Sequence, residues 1–81
     1  MTDDEILERL RDILHDTFGI ERASVQPETH LFKDLDLDSI DAVDLAIKVQ
    51  ELTGKRIKPD EFKAVRLVSD VVLAVRGLLA A

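Results

Sequence analysis

Aliphatic residues at α-helical spacing, bounded by recognisable start and stop signals, constrain this chain more than any other feature. Ile6, Leu7, Leu10, Ile13 and Leu14 follow that spacing between Thr2-Asp3-Asp4-Glu5 and Gly19. The first tetrad is a capping-box signature: Thr2 is the N-cap, Glu5 reaches back, and Asp3 and Asp4 suit the positive end of the helix dipole. This predicts a first helix over about residues 3–17. A second runs from about Ser39 to Thr53 and stops at Gly54. Pro59, followed by Asp60 and Glu61, opens a short third helix through about Val65. Ser69 is the expected cap of a last helix, about 70–79, with Val71, Val72, Val75, Leu78 and Leu79 on its apolar side. Its β-branched residues would also suit a strand, but length and the lack of alternation favour a helix. The expected fold is all-α: a four-helix bundle of three longer helices and one short one.

The 81 residues suffice for a single modest core, and one domain spanning 1–81 is expected. Cysteine is absent, which excludes disulfides, thiolate nucleophiles and cysteine-bound metals. Trp and Tyr are absent as well, leaving Phe18, Phe32 and Phe62 as the aromatics. Stability must therefore come from packing aliphatic helices. Between Gly19 and about Asp38 no period is sustained, and Pro27 and the polar run 26–30 read as a long loop. A loop of that length needs anchors or a function. Ile20, Val25, Leu31, Phe32, Leu35 and Leu37 are the expected anchors.

Charge is distributed unevenly. Residues 1–53 hold 14 acidic against 5 basic groups, whereas residues 54–66 hold 2 acidic against 5 basic. An acidic chain with few aromatics is a poor match for nucleic acid. It suits either an ordinary solvated surface or a face that steers toward basic protein partners. No apolar run approaches the roughly 20 residues of a membrane span, and the acidic N-terminus is unlike a secretory signal. A soluble, cytoplasmic monomer is expected. The initiating Met and the lack of a linker point to a freestanding protein.

Helix 2 has two apolar faces. On a helical wheel Ala42, Leu45, Ala46, Val49 and Leu52 share one arc of roughly 120°, a normal core stripe. Ile40, Val43 and Ile47 lie nearly opposite, and Asp41, Asp44, Lys48 and Glu51 form a polar strip between the two. The second stripe either lies under the long loop or stays exposed as a docking surface. In the latter case apolar contact supplies affinity and the acidic rim supplies orientation.

At the start of this helix one hydroxyl, Ser39, sits among the carboxylates of Asp34, Asp36, Asp38, Asp41 and Asp44. A calcium loop fits at Asp34, Asp36 and Asp38, but fails where Gly and Glu are required, at Ser39 and Leu45. Hydrolytic catalysis lacks a nucleophile elbow, and neither His15 nor His30 is placed as an evident base. Both histidines are expected to have no special role. Capping of helix 2 by Asp38 or Ser39 is the simplest reading. Attachment of an anionic group to Ser39 is the remaining one.

The segment Leu35-Asp36-Leu37-Asp38-Ser39-Ile40-Asp41-Ala42-Val43-Asp44-Leu45 resembles the modification site of acyl carrier proteins, in which Asp-Ser-Leu or Asp-Ser-Ile opens the second helix. The resemblance extends along the chain, through the acidic first helix, the long loop, Pro59 opening a short helix, and an apolar last helix. It implies that Ser39 is esterified with 4′-phosphopantetheine, transferred from coenzyme A by a magnesium-dependent phosphopantetheinyl transferase. The thiol of that arm would hold acyl groups as thioesters, so the chain itself needs no cysteine and performs no catalysis. It further implies that helix 2 is the recognition helix, with Asp38, Ile40, Asp41, Val43, Asp44 and Ile47 docking to partners. Those partners would be the transferase, an acyl synthetase or acyltransferase, a ketosynthase and other enzymes of fatty-acid or polyketide biosynthesis. Two departures stand out. The family commonly has Gly where this chain has Asp36, and the basic residues Lys55, Arg56, Lys58, Lys63 and Arg66 replace a typically acidic region. The latter hints at dedicated partners in a specialised pathway.

Overall fold

The computed structural model describes residues 1–57, 62 and 64–80. Three α-helices lie among them: α1 over Asp3–Phe18, α2 over Ser39–Thr53 and α3 over Val68–Ala80. A single 3-10 turn, Arg22–Ser24, interrupts the connection between α1 and α2. The fold is all-helical, as expected, with no strand among the described residues. The short helix expected from Pro59 to about Val65 falls mostly on residues outside those described. Phe62 and Val65, within that stretch, are buried in the core.

Helix α1 begins as its sequence dictates. Thr2 Oγ1 accepts the Glu5 N–H at 3.2 Å, and Glu5 Oε1 accepts the Thr2 N–H at 3.2 Å. These backbone and hydroxyl donors to Glu5 hold its carboxyl below the usual glutamate range. The helix continues one residue past the expected end, and Gly19 closes it at φ +70°. That left-handed conformation is strained for residues with a Cβ. Ile6, Leu10 and Leu14 are buried, and Leu7 and Ile13 pack at their margin.

Helix α3 starts two residues earlier than expected, and Ser69 is not its cap. Asp70 takes that part: its Oδ2 accepts the N–H groups of Leu67 at 2.9 Å and Arg66 at 3.0 Å. The same two donors hold the Asp70 carboxyl below its usual range. The reason is register: once Val68 enters the helix, Asp70 is the acidic side chain in the first turn able to reach back. Val68, Val71, Val72 and Val75 are buried, but Leu79 is 39% exposed. At 100° per residue Leu79 lies on the same face as Val68, Val72 and Val75, and its exposure comes from its place in the last turn of the helix.

The long connection is anchored as its apolar pattern predicts. Val25, Leu31 and Leu37 are buried, and Ile20, Phe32 and Leu35 are packed against the core. Polar contacts complete the anchoring. Arg11 Nε donates to the Val25 carbonyl at 2.8 Å, and Arg22 pairs with Glu8 and Asp12 of α1. Thr29, the one buried polar residue among those described, donates to the Ser24 carbonyl and accepts the Gln26 N–H. The loop then meets the segment leading into α3. Leu31 N–H donates to the Arg66 carbonyl, and Val68 N–H to that of Thr29, both at 2.9 Å.

His30, expected to have no special role, organises this junction. Its Nδ1 accepts the N–H groups of Phe32 and Lys33 at 3.2 and 3.1 Å, and Asp34 Oδ2 accepts the His30 N–H at 2.7 Å. The imidazole therefore satisfies two donors of the turn that leads toward α2. His15 is exposed on α1, as expected.

Candidate functional site

The N-terminus of α2 is built by two aspartates. Asp38, extended at φ −111° and ψ −175°, is the N-cap. Its Oδ1 accepts the Asp41 N–H at 2.9 Å, and Asp41 Oδ2 accepts the Asp38 N–H at 3.1 Å. This reciprocal box settles which residue caps the helix. Ser39 does not; it is the first helical residue and is exposed. Among the described residues its hydroxyl has no hydrogen-bond partner, and nothing accepts its N–H or that of Ile40.

These two open N–H groups and the positive end of the α2 dipole form an environment that favours an anion on the Ser39 oxygen. A phosphodiester there fits the chemistry of the site. The exposed carboxylates of Asp36, Asp38 and Asp44 have the opposite effect on anything lying along the helix. An anionic arm tethered at Ser39 is thus favoured at its root and repelled along its length, which directs it into solvent.

Asp36 lies two residues before the cap at φ +56°, the single non-glycine residue with positive φ among those described. The left-handed conformation explains why a glycine suits this position. Asp is among the few other residues that tolerate it. The departure from the expected Gly is therefore absorbed without changing the local backbone class.

Asp34 and Asp38 both spend a carboxylate oxygen on backbone donors. Among the described residues no three acidic or histidine side chains are gathered as a ligand set.

Helix α2 does present two apolar faces. Ala42, Leu45, Ala46 and Val49 are buried, with Leu52 half-buried beside them. On the other side Ile40 is 71% exposed, Val43 38% and Ile47 45%. The long loop does not cover them. Asp44 is exposed next to them and Asp41 is half-exposed, so the aliphatic stripe has an acidic margin beginning at Ser39. Two further features were not evident from sequence: the acceptor role of His30 and the cap supplied by Asp70. A His or Asp placed two to four residues from potential backbone donors is a signal for such roles, but too common a spacing to be selective.

Comparison with known proteins agrees with this geometry. Residues 8–75 match the family model described as the phosphopantetheine attachment site. The chain is 67% identical to acyl carrier protein 2 of Ralstonia nicotianae over 81 residues, covering all of both chains. It is 34% identical to the meromycolate extension acyl carrier protein of Mycolicibacterium smegmatis over 77 residues, 95% of this chain and 78% of that one. The crystal structure of an acyl carrier protein from Thermotoga maritima superposes with a TM-score of 0.85 at 27% identity, covering 96% of this chain and 91% of the other. Fold, matched region and relatives converge, and the chain belongs to the acyl carrier protein family, carriers rather than catalysts.

Proposed function

We propose that Ser39 is the attachment residue for 4′-phosphopantetheine and that the chain, as one carrier domain over 1–81, delivers thioester-bound acyl groups to biosynthetic enzymes. One observation supports this above others. The capping work at the start of α2 is done entirely by Asp38 and Asp41, which leaves the Ser39 hydroxyl exposed and unengaged. A serine kept only as a cap would accept a backbone N–H itself. The transferase moves the phosphopantetheinyl group from coenzyme A to the Ser39 oxygen, and the arm's thiol then carries the acyl chain.

The exposed stripe of Ile40, Val43 and Ile47, with Asp38, Asp41 and Asp44 beside it, is the proposed docking face for the transferase and for acyl-transferring and condensing enzymes. Apolar contact gives affinity, and the carboxylates steer basic partners. Among the described residues no helix is long and apolar enough to cross a membrane, which suits a diffusing monomeric carrier.

Loading tests the carrier role. The protein is treated with coenzyme A and transferase, then offered a fatty acid, ATP and an acyl carrier protein synthetase. We expect an added acyl mass that neutral hydroxylamine removes, as it removes a thioester. An added mass that resists hydroxylamine, or no loading onto protein that does carry the arm, would contradict the proposal.

A further inference from the structure

Helix α2 has opposite charge at its two ends. Asp36, Asp38, Asp41 and Asp44 cluster around its start. Lys55 and Arg56 follow its C-cap, Gly54, and both are exposed. Roughly 20 Å of helix separates the two groups, at 1.5 Å per residue. Near the basic end Glu51 is paired with Lys48 at 3.7 Å. Among the described residues neither Lys55 nor Arg56 has an ion-pair partner.

The backbone carrying these two cations is held in place. Gly54, left-handed at φ +67°, donates its N–H to the Gln50 carbonyl at 2.8 Å. Lys55 N–H donates to Thr53 Oγ1 at 3.1 Å, and Ile57 N–H to Gln50 Oε1 at 2.7 Å. Ile57 is buried, so the turn is pinned on both sides of the cations. Between them and the helix lies an open depression of about 360 Å³, whose wall includes the half-exposed Ile47. The apolar stripe thus runs from the acidic end of α2 to a shallow depression at the other, where Lys55 and Arg56 stand beside Ile47, Gln50 and the Lys48-paired Glu51.

We propose that Lys55, Arg56 and Ile47 form a second docking point, taken by an acidic patch on a partner enzyme. This extends the docking role proposed above for α2 and rests on it. A uniformly acidic helix attracts a basic groove in either direction. A helix acidic at one end and basic at the other fixes the direction, and with it where the Ser39 arm enters the partner. It also discriminates: a groove lined with cations along its whole length meets Lys55 and Arg56 with like charge. The simpler role for cations at this place is to stabilise the carbonyl end of the helix. That role predicts a loss of stability on charge reversal and no change in binding, so the two are separable.

The test uses the full unmodified chain, labelled with nitrogen-15, and two synthetic amphipathic helical peptides. The peptides share a leucine face, which is flanked by glutamates in one and by lysines in the other. We expect the glutamate peptide to shift amide signals over residues 47–57 and the lysine peptide to shift those over 38–45. Lys55→Glu with Arg56→Glu should weaken the glutamate peptide at least about fivefold, the scale of two exposed charge pairs, and leave the lysine peptide nearly unchanged. Lys55→Gln with Arg56→Gln should give a smaller loss, and serves as the readout if the reversed variant folds poorly. The proposal is overturned if the glutamate peptide does not bind, maps elsewhere, or binds the variants as well as wild type. Shifts that depend on protein concentration without peptide would assign the face to a second copy and overturn it too. Because Ser39 is unmodified throughout, failure here is distinct from failure of the carrier reading.

Discussion

At the scale of single residues, the loop before Ser39 depends on two side chains in unusual positions. Asp36 holds a left-handed backbone, so its replacements should sort by φ preference rather than by charge. Asp36→Gly should be at least as stable as wild type, whereas Asp36→Val should lose roughly 1–2 kcal/mol, the cost of a branched residue at positive φ. Urea denaturation distinguishes them; equal losses for both would mean that the Asp carboxylate, not the backbone, is what matters. His30 is replaceable by shape: Asn presents a side-chain oxygen to donors two and three residues ahead, much as Nδ1 does here. His30→Asn should keep most of the stability and His30→Ala should cost about 1 kcal/mol, the value of an unmet donor. If the two variants unfold together, the imidazole acts through packing against Phe32 instead.

At the scale of elements, α2 has to satisfy two surfaces at once. Leu45→Ala removes a fully buried side chain and should cost about 2–5 kcal/mol. Val43→Glu lies on the exposed stripe and should change stability by no more than about 0.5 kcal/mol, while slowing modification by the transferase. A large loss of stability for Val43→Glu would move that residue into the core. Helix α3 offers a pH test. The Leu67 and Arg66 N–H groups depress the folded pKa of Asp70 below its usual 3.8. A depressed carboxyl contributes stability that is present above the unfolded value and is lost as pH falls through the folded one. Asp70→Asn should therefore flatten the fall in melting temperature below about pH 4, most clearly against wild type measured in the same buffers. An unchanged acid limb would mean that other carboxylates dominate it.

At the scale of the whole molecule, the division between what the sequence reveals and what it conceals follows the range of the interactions. Helices α1 and α2 were legible almost to the residue because their end signals are local: Thr2 with Glu5, Gly19, the Asp38-Ser39 pair and Gly54 all act within a few positions, although they leave open which of Asp38 and Ser39 caps α2. The two-faced character of α2 was legible for the same reason, since periodicity alone separates Leu45 from Val43. The start of α3 was not, because Asp70 must be weighed against Ser69 and the choice depends on the loop that packs alongside. His30 was missed because its partners are defined by a turn held both by local bonds to Asp34 and Leu35 and by tertiary contact of the loop with Arg66 and Val68. The proposed attachment at Ser39 comes from resemblance, not from physics alone, which favours a simple cap. The Asp38–Asp41 box takes the capping role away from Ser39.

Ser39 stands exposed at the start of α2 with its hydroxyl unengaged, as the proposed attachment of a phosphopantetheinyl group requires. Intact mass spectrometry tests it most directly, on protein verified as unmodified and then incubated with coenzyme A, magnesium and a broad-specificity phosphopantetheinyl transferase. One phosphopantetheinyl increment is expected on wild type and none on a folded Ser39→Ala variant. An increment that persists in that variant, or none on wild type with several transferases, would contradict it and leave α2 as a docking helix without an arm.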